Sequence, residues 1–283
     1  MIDTPATADD DRPVLLTVEV TATTTELVAD ALWEHGSTGM EERVDRIVAG
    51  FANRPAAGAA AAALVQRGIA GPGSIVDVND DTWLDGWRAY ARAHRAGTRI
   101  VLQPTWVDPV PVGADDVVVH LDPGRAFGSG AHATTRLVLA RLEAMIEPGS
   151  TTVLDLGCGS GVLTVAACLL GAADVVAVDL DPAALRATAD NAARNDVTCT
   201  IHGDLDAVHD RRFDLVAANI GANTLIDLEP ALRQHDVVIL AGFLAFREAD
   251  VLTAFADRPI LHRAAENDWV CLTLGGCAVG PAV

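Results

Sequence analysis

In the second half of the chain, apolar residues gather into short unbroken runs separated by amphipathic stretches. TTVLDL (151–156), DVVAVDL (174–180), TCTIHGD, FDLVAANI and DVVILAG read as buried strands. GVLTVAACLL (161–170), PAALRATADNAARN (182–195), LIDLEPALRQ and FREADVLTAFA read as helices between and after them. Gly171 and Asn195 mark helix stops, and Pro182 stands in a first turn. Two further strands, near residues 259–263 and in DWVCLTLGG, follow in close succession and predict a terminal hairpin. Strands alternating with helices predict a parallel sheet with helices on both faces.

The first half is less regular. Residues 14–20 (VLLTVEV) predict a strand, 24–35 an amphipathic helix closed by Gly36, and 39–48 a second strand. From Pro55 the alanine tract PAAGAAAAALVQRG combines high helix propensity with little apolar bulk, which predicts a poorly anchored helix or a linker. A small α+β domain is therefore expected over residues 1–65. A bridge follows over 66–115. It holds a helix in DTWLDGWRAYARAH, opened by Asp81 or Thr82 and placing Trp83, Leu84 and Trp87 at helical spacing, then the strand TRIVLQP and the loop TWVDPVPVG. Trp83, Trp87 and Trp106 are expected in core packing. The alternating pattern fills 116–283, and the total of 283 residues suits one large domain plus a smaller one at about 150 residues per domain.

Composition narrows the class. Half the residues are hydrophobic and 21% are charged, which is globular rather than disordered. The net charge of −19 argues against a broad grip on DNA or RNA, because such a surface gains little from phosphate neutralisation. It would instead draw a basic partner. No apolar run reaches the length of about 18 residues that a membrane span needs. The acidic amino terminus is unlike a signal peptide. Five scattered cysteines (Cys158, Cys168, Cys199, Cys271, Cys277) include no CxxC pair, so they read as buried hydrophobes or free thiols in a reducing compartment, with no metal site. A cytoplasmic protein is expected.

Two segments carry chemistry. In VLDLGCGSG, Asp155 ends a strand, and Gly157, Gly159 and Gly161 turn the chain into a helix. The dinucleotide pattern G-x-G-x-x-G would need glycine at Val162, so acid-x-G-x-G-x-G stands instead, which resembles the first motif of class I S-adenosylmethionine methyltransferases. Asp179 ends the next strand, 24 residues after Asp155, where a carboxylate can accept both ribose hydroxyls. Asp181 reads as a helix cap. Asp204 reads either as a contact to an adenine amino group or as a solvated turn carboxylate. Asn219 ends the strand of VAANI, as a turn residue or as the amide that holds an acceptor amine in line with a methyl group. Upstream, in HLDPGRAFGSGAHATT, Gly124, Gly128 and Gly130 predict a mobile loop, Phe127 an apolar cover over a ligand, and Thr134 and Thr135 the start of a helix. His132 reads as a base or, better, as a member of a hydrogen-bond network.

Taken together, DTWLDGWRAY, QPTW, DPGRAFGSGAHATT, VLDLGCGSGVL, AVDLDP, NAARN, VAANI, LAGFL and DWVCL, in this order, resemble the PrmA family, the methyltransferases of large-subunit ribosomal protein eleven. The resemblance implies a seven-stranded, doubly wound class I methyltransferase sheet with a small amino-terminal domain that recognises the ribosomal protein. It implies S-adenosylmethionine as cofactor and N-methylation of lysine side chains, with the α-amine as a further target. Thr135, Gly157, Gly159, Asp179 and Asn219 are the implied cofactor contacts, Phe127 and Gly128 belong to the loop above it, and Asn219 is the implied catalytic residue. A second reading keeps the fold and changes the acceptor to another protein's lysine or a small-molecule amine. A third is a non-enzymatic S-adenosylmethionine-binding or ribosome-assembly module.

Overall fold

The structure is a computed structural model and describes residues 14–21, 23–37, 39–42, 45–77, 92–122 and 130–276. The expected helix with Trp83, Leu84 and Trp87 lies outside the described residues, as do Gly124, Phe127, Gly128 and Cys277. The chain forms two compact units, residues 1–89 and 90–283.

The first unit runs β1 (Val14–Glu19), α1 (Thr25–Glu34), β2 (Gly39–Glu42), β3 (Arg46–Phe51), α2 (Arg54–Gln66) and β4 (Ser74–Asp77). Its sheet has the order β2-β3-β1-β4 with antiparallel neighbours, a split β-α-β arrangement. Val14, Leu16 and Val18 alternate inward from β1 and meet Leu32 of α1 and Leu64 of α2 in one core. Two expectations are corrected here. The stretch 39–48 is not one strand, because the chain turns back between β2 and β3 and pairs Glu42 with Ile47. Nor is the alanine tract a loose linker. Asn53 caps it by accepting from the Ala56 N–H at 2.9 Å, and Ala57, Ala60, Ala61 and Leu64 are buried. Small side chains let the helix lie close to the sheet, so packing compensates for the apolar area each lacks. The sheet also continues past residue 65, since β4 covers the edge of β1.

The second unit opens with β5 (His94–Ala96), β6 (Ile100–Pro104) and β7 (Val117–Leu121), a small three-stranded sheet. It continues with α3 (Ala133–Met145), β8 (Thr152–Leu156), α4 (Val162–Leu169), β9 (Asp174–Val178), α5 (Pro182–Arg194) and β10 (Thr200–His202). The remainder is β11 (Leu215–Asn219), α6 (Ala222–Leu232), β12 (Val237–Leu244), α7 (Glu248–Ala254), β13 (Ile260–Glu266) and β14 (Trp269–Leu274). Seven strands form one sheet in the order β10-β9-β8-β11-β12-β14-β13. The first five are parallel, and β14 and β13 are the expected antiparallel hairpin.

Both faces of the sheet's central strands are covered. Val153 of β8 lies in one apolar cluster with Val138, Leu142, Val165 and Ala192 from α3, α4 and α5, while its neighbour Leu154 lies in a second with Leu225, Leu232 and Val251 from α6 and α7. A strand buried on both sides reads as an unbroken apolar run, which is what TTVLDL presents. Gly242 (φ +95°) bends β12 where its register with β14 shifts; a Cβ there would come within 2.5 Å of the Ile220 carbonyl oxygen. Among the described residues, no helix is long and apolar enough to cross a membrane.

Candidate functional site

Strand order reverses between β8 and β11: the chain winds outward through β9 and β10, then returns to the other side of β8. The crevice beyond the carboxyl ends of two such strands is where open α/β sheets bind ligands. Gly157, Gly159 and Asp179 lie on one side of it and Asn219 at its other bank.

The turn after β8 needs its glycines. Gly157, Gly159 and Gly161 have φ of +79°, +54° and +78°, in the left-handed region that L side chains rarely adopt. A Cβ on Gly157 would also stand 2.4 Å from Cγ2 of Ile220, and one on Gly161 2.8 Å from Cα of Thr188. The backbone N–H groups of Gly157 and Cys158 donate to the Val178 carbonyl at 2.8 and 3.1 Å, which ties the turn to β9. One residue beyond β9, Asp179 accepts from the Gly159 N–H at 2.9 Å and from the Asp181 N–H at 2.9 Å, one bond per carboxylate oxygen. Each oxygen keeps a lone pair for a ligand. Asp181 caps α5 by accepting from the Ala183 N–H at 2.8 Å, as its position suggested.

Asp155 behaves differently. It is 1% exposed, accepts from the Thr164 hydroxyl at 2.6 Å through Oδ2, and has no partner at Oδ1. Burial pushes its pKa up to about 7; the bonds from Thr164 oppose the rise and the charge of Asp179 adds to it.

Asn219 is half-buried, and its Nδ2 donates to Oγ1 of Thr135 at 3.4 Å, so the two motifs that carry them meet in space. Thr135 sits in the first turn of α3, where His132 is the cap: its Nδ1 lies 2.8 Å from the Thr134 hydroxyl and 3.4 Å from the Thr134 N–H. The His132 ring also meets Trp269 edge-on, with centroids 4.6 Å apart. Burial, helped by the positive charge of Arg136, lowers its pKa to about 4, although Glu266 pulls the other way. Of the two sequence readings, this histidine fits the hydrogen-bond network. Asp204 caps a short 3₁₀ turn by accepting from the Asp206 N–H at 2.9 Å and is exposed, which fits its turn reading. Phe127 and Gly128 lie outside the described residues.

Sequence reasoning did not single out Leu180, Thr188 or Asn191. Leu180, directly after Asp179, is 81% exposed although it follows an apolar run; an aliphatic side chain at a strand tip in VDLDP was the available signal. Nor did it assign a partner to Asp155 or to the buried polar residues Thr188 and Asn191.

A family model described as ribosomal protein L11 methyltransferase (PrmA) matches residues 46–275. The ribosomal protein L11 methyltransferase of Pelotomaculum thermopropionicum is 42% identical over 223 residues, covering 75% of this chain and 72% of that protein. Its counterpart in Pelobacter propionicus is 40% identical over 219 residues, covering 72% and 70%. Among solved structures, the ribosomal protein L11 methylase of Lactobacillus delbrueckii subsp. bulgaricus superposes with a TM-score of 0.61 at 34% identity, covering 66% of this chain and 99% of that one.

Proposed function

The chain belongs to the ribosomal protein L11 methyltransferase (PrmA) family, and on that premise we propose that it transfers methyl groups from S-adenosylmethionine to lysine side chains of ribosomal protein L11, with the α-amine as a further target. The residues at the switch point fit such a donor. Asp179 retains acceptor capacity for a pair of sugar hydroxyls, exposed Leu180 offers an apolar surface beside it, and the glycine turn lets backbone approach. Two residues before Gly157, the buried Oδ1 of Asp155 has no hydrogen-bond partner. When bound, S-adenosylmethionine supplies a methyl group on a sulfonium, open to attack by a neutral amine.

What the chain itself does is position and desolvate. The Asn219 amide nitrogen is committed to Thr135, which leaves the amide oxygen to accept a hydrogen of the incoming amine and to aim its lone pair. A lysine with a pKa near 10.4 in water is almost wholly charged at neutral pH, and partial desolvation lowers that value. The proton leaves to water before transfer, so no dedicated base is required. His132 is poorly suited to that role, since burial lowers its pKa to about 4 and its ring is held at the helix cap and against Trp269. The acidic surface favours a basic protein acceptor over nucleic acid, and a ribosomal substrate supports a cytoplasmic reading.

The observation that carries this reading is the pairing of Asn219 with Thr135 across from the Asp179–Gly159 bond. The test is radiolabelled methyl transfer from S-adenosylmethionine to purified L11, followed by amino-acid analysis. The enzyme contains no lysine among its 283 residues, so labelled methyl-lysine can come only from the acceptor. The expected result is labelled lysine in L11, with Asn219→Ala slower by about a hundredfold in kcat, the scale for losing one positioned polar group. Label appearing in other proteins or small amines of a cell extract, and never in L11, would overturn the substrate.

A further inference from the structure

One side of the glycine turn is held by a helix that the chemistry above does not use. Thr188 and Asn191 of α5 are each 0% exposed and, three residues apart, share one helix face. Thr188 Oγ1 donates to the Gly159 carbonyl at 3.1 Å and approaches Cys158 Sγ at 3.2 Å, while Asn191 Nδ2 donates to the Ser160 carbonyl at 2.8 Å. The same Asn191 amide grips the residue after β7, donating to the Asp122 carbonyl at 2.9 Å and accepting from the Asp122 N–H at 2.9 Å. Its Oδ1 also accepts from Arg194.

One helical turn later Asn195 repeats the two-pronged grip. It accepts from the His120 N–H at 2.8 Å and donates to the His120 carbonyl at 2.7 Å. Four residues of helix advance about 6 Å and two residues of strand about 6.6 Å, so the two amides lie along the chain of β7 as an extra strand's peptide groups would. Only Asn191 also reaches the turn. The pair is thus a natural control: two near-identical clamps at the end of β7, one coupled to the glycine turn and one not.

We infer that Asn191, seconded by Thr188, is a positioning residue for the methyl donor, fixing the peptides of Gly159 and Ser160 against α5 and the end of β7 so that the turn is already shaped for its ligand. The inference rests on the reading of that turn as the donor site. With the clamp gone, the turn relaxes, and ligand binding has to restore its order, which weakens affinity. The rate at saturation is unaffected, because Asn191 touches no reacting atom.

The test measures S-adenosylmethionine binding by calorimetry, steady-state kinetics and thermal unfolding on the full chain. Asn191→Ala is expected to raise Kd and KM for the donor about tenfold, the scale of one buried hydrogen bond, with kcat within about twofold. Thr188→Val, which keeps the side chain's shape, is expected to raise them about threefold. Asn195→Ala is expected to lose stability as Asn191→Ala does, with donor Kd within about twofold of wild type. The inference is overturned if Asn191→Ala binds the donor as wild type does, or if Asn195→Ala loses as much affinity. Should Asn191→Ala not fold, Thr188→Val decides, and an unchanged Kd there is the contrary result. A wild-type chain that fails to bind the donor would overturn the reading of the site itself.

Discussion

Asp155 and Asp179 stand at the carboxyl ends of the neighbouring strands β8 and β9, and the same side chain has different surroundings at each. Asp179 is half-exposed and held by two backbone N–H groups, one on each carboxylate oxygen. Asp155 is sealed in, and its pKa is raised from 3.8 to about 7. A carboxyl with a raised folded-state pKa contributes stability that is fully present below the unfolded value and is lost as pH rises through the folded one. The loss therefore falls between pH 3.8 and about 7. His132 and His235 run the opposite way: burial lowers both from 6.5 to about 4, so their contribution is present above 6.5 and lost as pH falls toward 4. Asp155→Asn keeps the shape and removes one titration, so its stability relative to wild type should rise between pH 4 and 7 and level off above. Urea unfolding across that range checks this, and a difference independent of pH would contradict it. At this scale the candidate site was legible where its signal is local. Gly157, Asp179 and Asn219 each stand at the tip of a recognisable strand. Asn191 was not, because the strand end it grips lies 69 residues away in the chain and nothing in NAARN announces that partner.

Among elements, those with bulky apolar residues were read well and those built from small ones were not. TTVLDL, DVVAVDL and DVVILAG became β8, β9 and β12 because strands covered on both faces carry their signal in every position. The alanine tract misled because alanine contributes little transfer energy per residue; its value lies in letting α2 approach β1 and β3 closely, a property of the assembled core. Ala60 is 1% exposed on that face, so Ala60→Leu should destabilise the first unit by about 1–3 kcal/mol through overpacking. Denaturant midpoints with unchanged slope would measure it, and a neutral effect would mean that the tract is only loosely seated. The turn between β2 and β3 was hidden because no Asn-Gly or Asp-Gly signal marks it. β5 spans only His94–Ala96, too short for alternation to register.

For the molecule as a whole, an excess of acidic over basic residues, net −19, sets how it meets a partner. Attraction between this surface and a basic ribosomal protein is long-ranged and screened by salt, with a Debye length of about 8 Å at physiological ionic strength and about 3 Å at 1 M. Affinity for L11 should therefore fall steeply between low and molar salt, while affinity for the small donor, whose proposed seat is Asp179 and the glycine turn, should change far less. Equal affinity for L11 at both extremes would contradict the charge argument. The order of strands and helices was readable along most of the chain because each element's pattern is local. The topology that gathers the site, with β11 returning beside β8, follows from the way the whole sheet is wound. The most direct measurement of the central claim is a crystal structure of this chain with S-adenosylhomocysteine. The predicted complex has the ribose hydroxyls on the Asp179 carboxylate and the sulfur beside Asn219; a ligand seated away from the β8–β11 crevice, or an Asn219 amide turned from the sulfur, would contradict it.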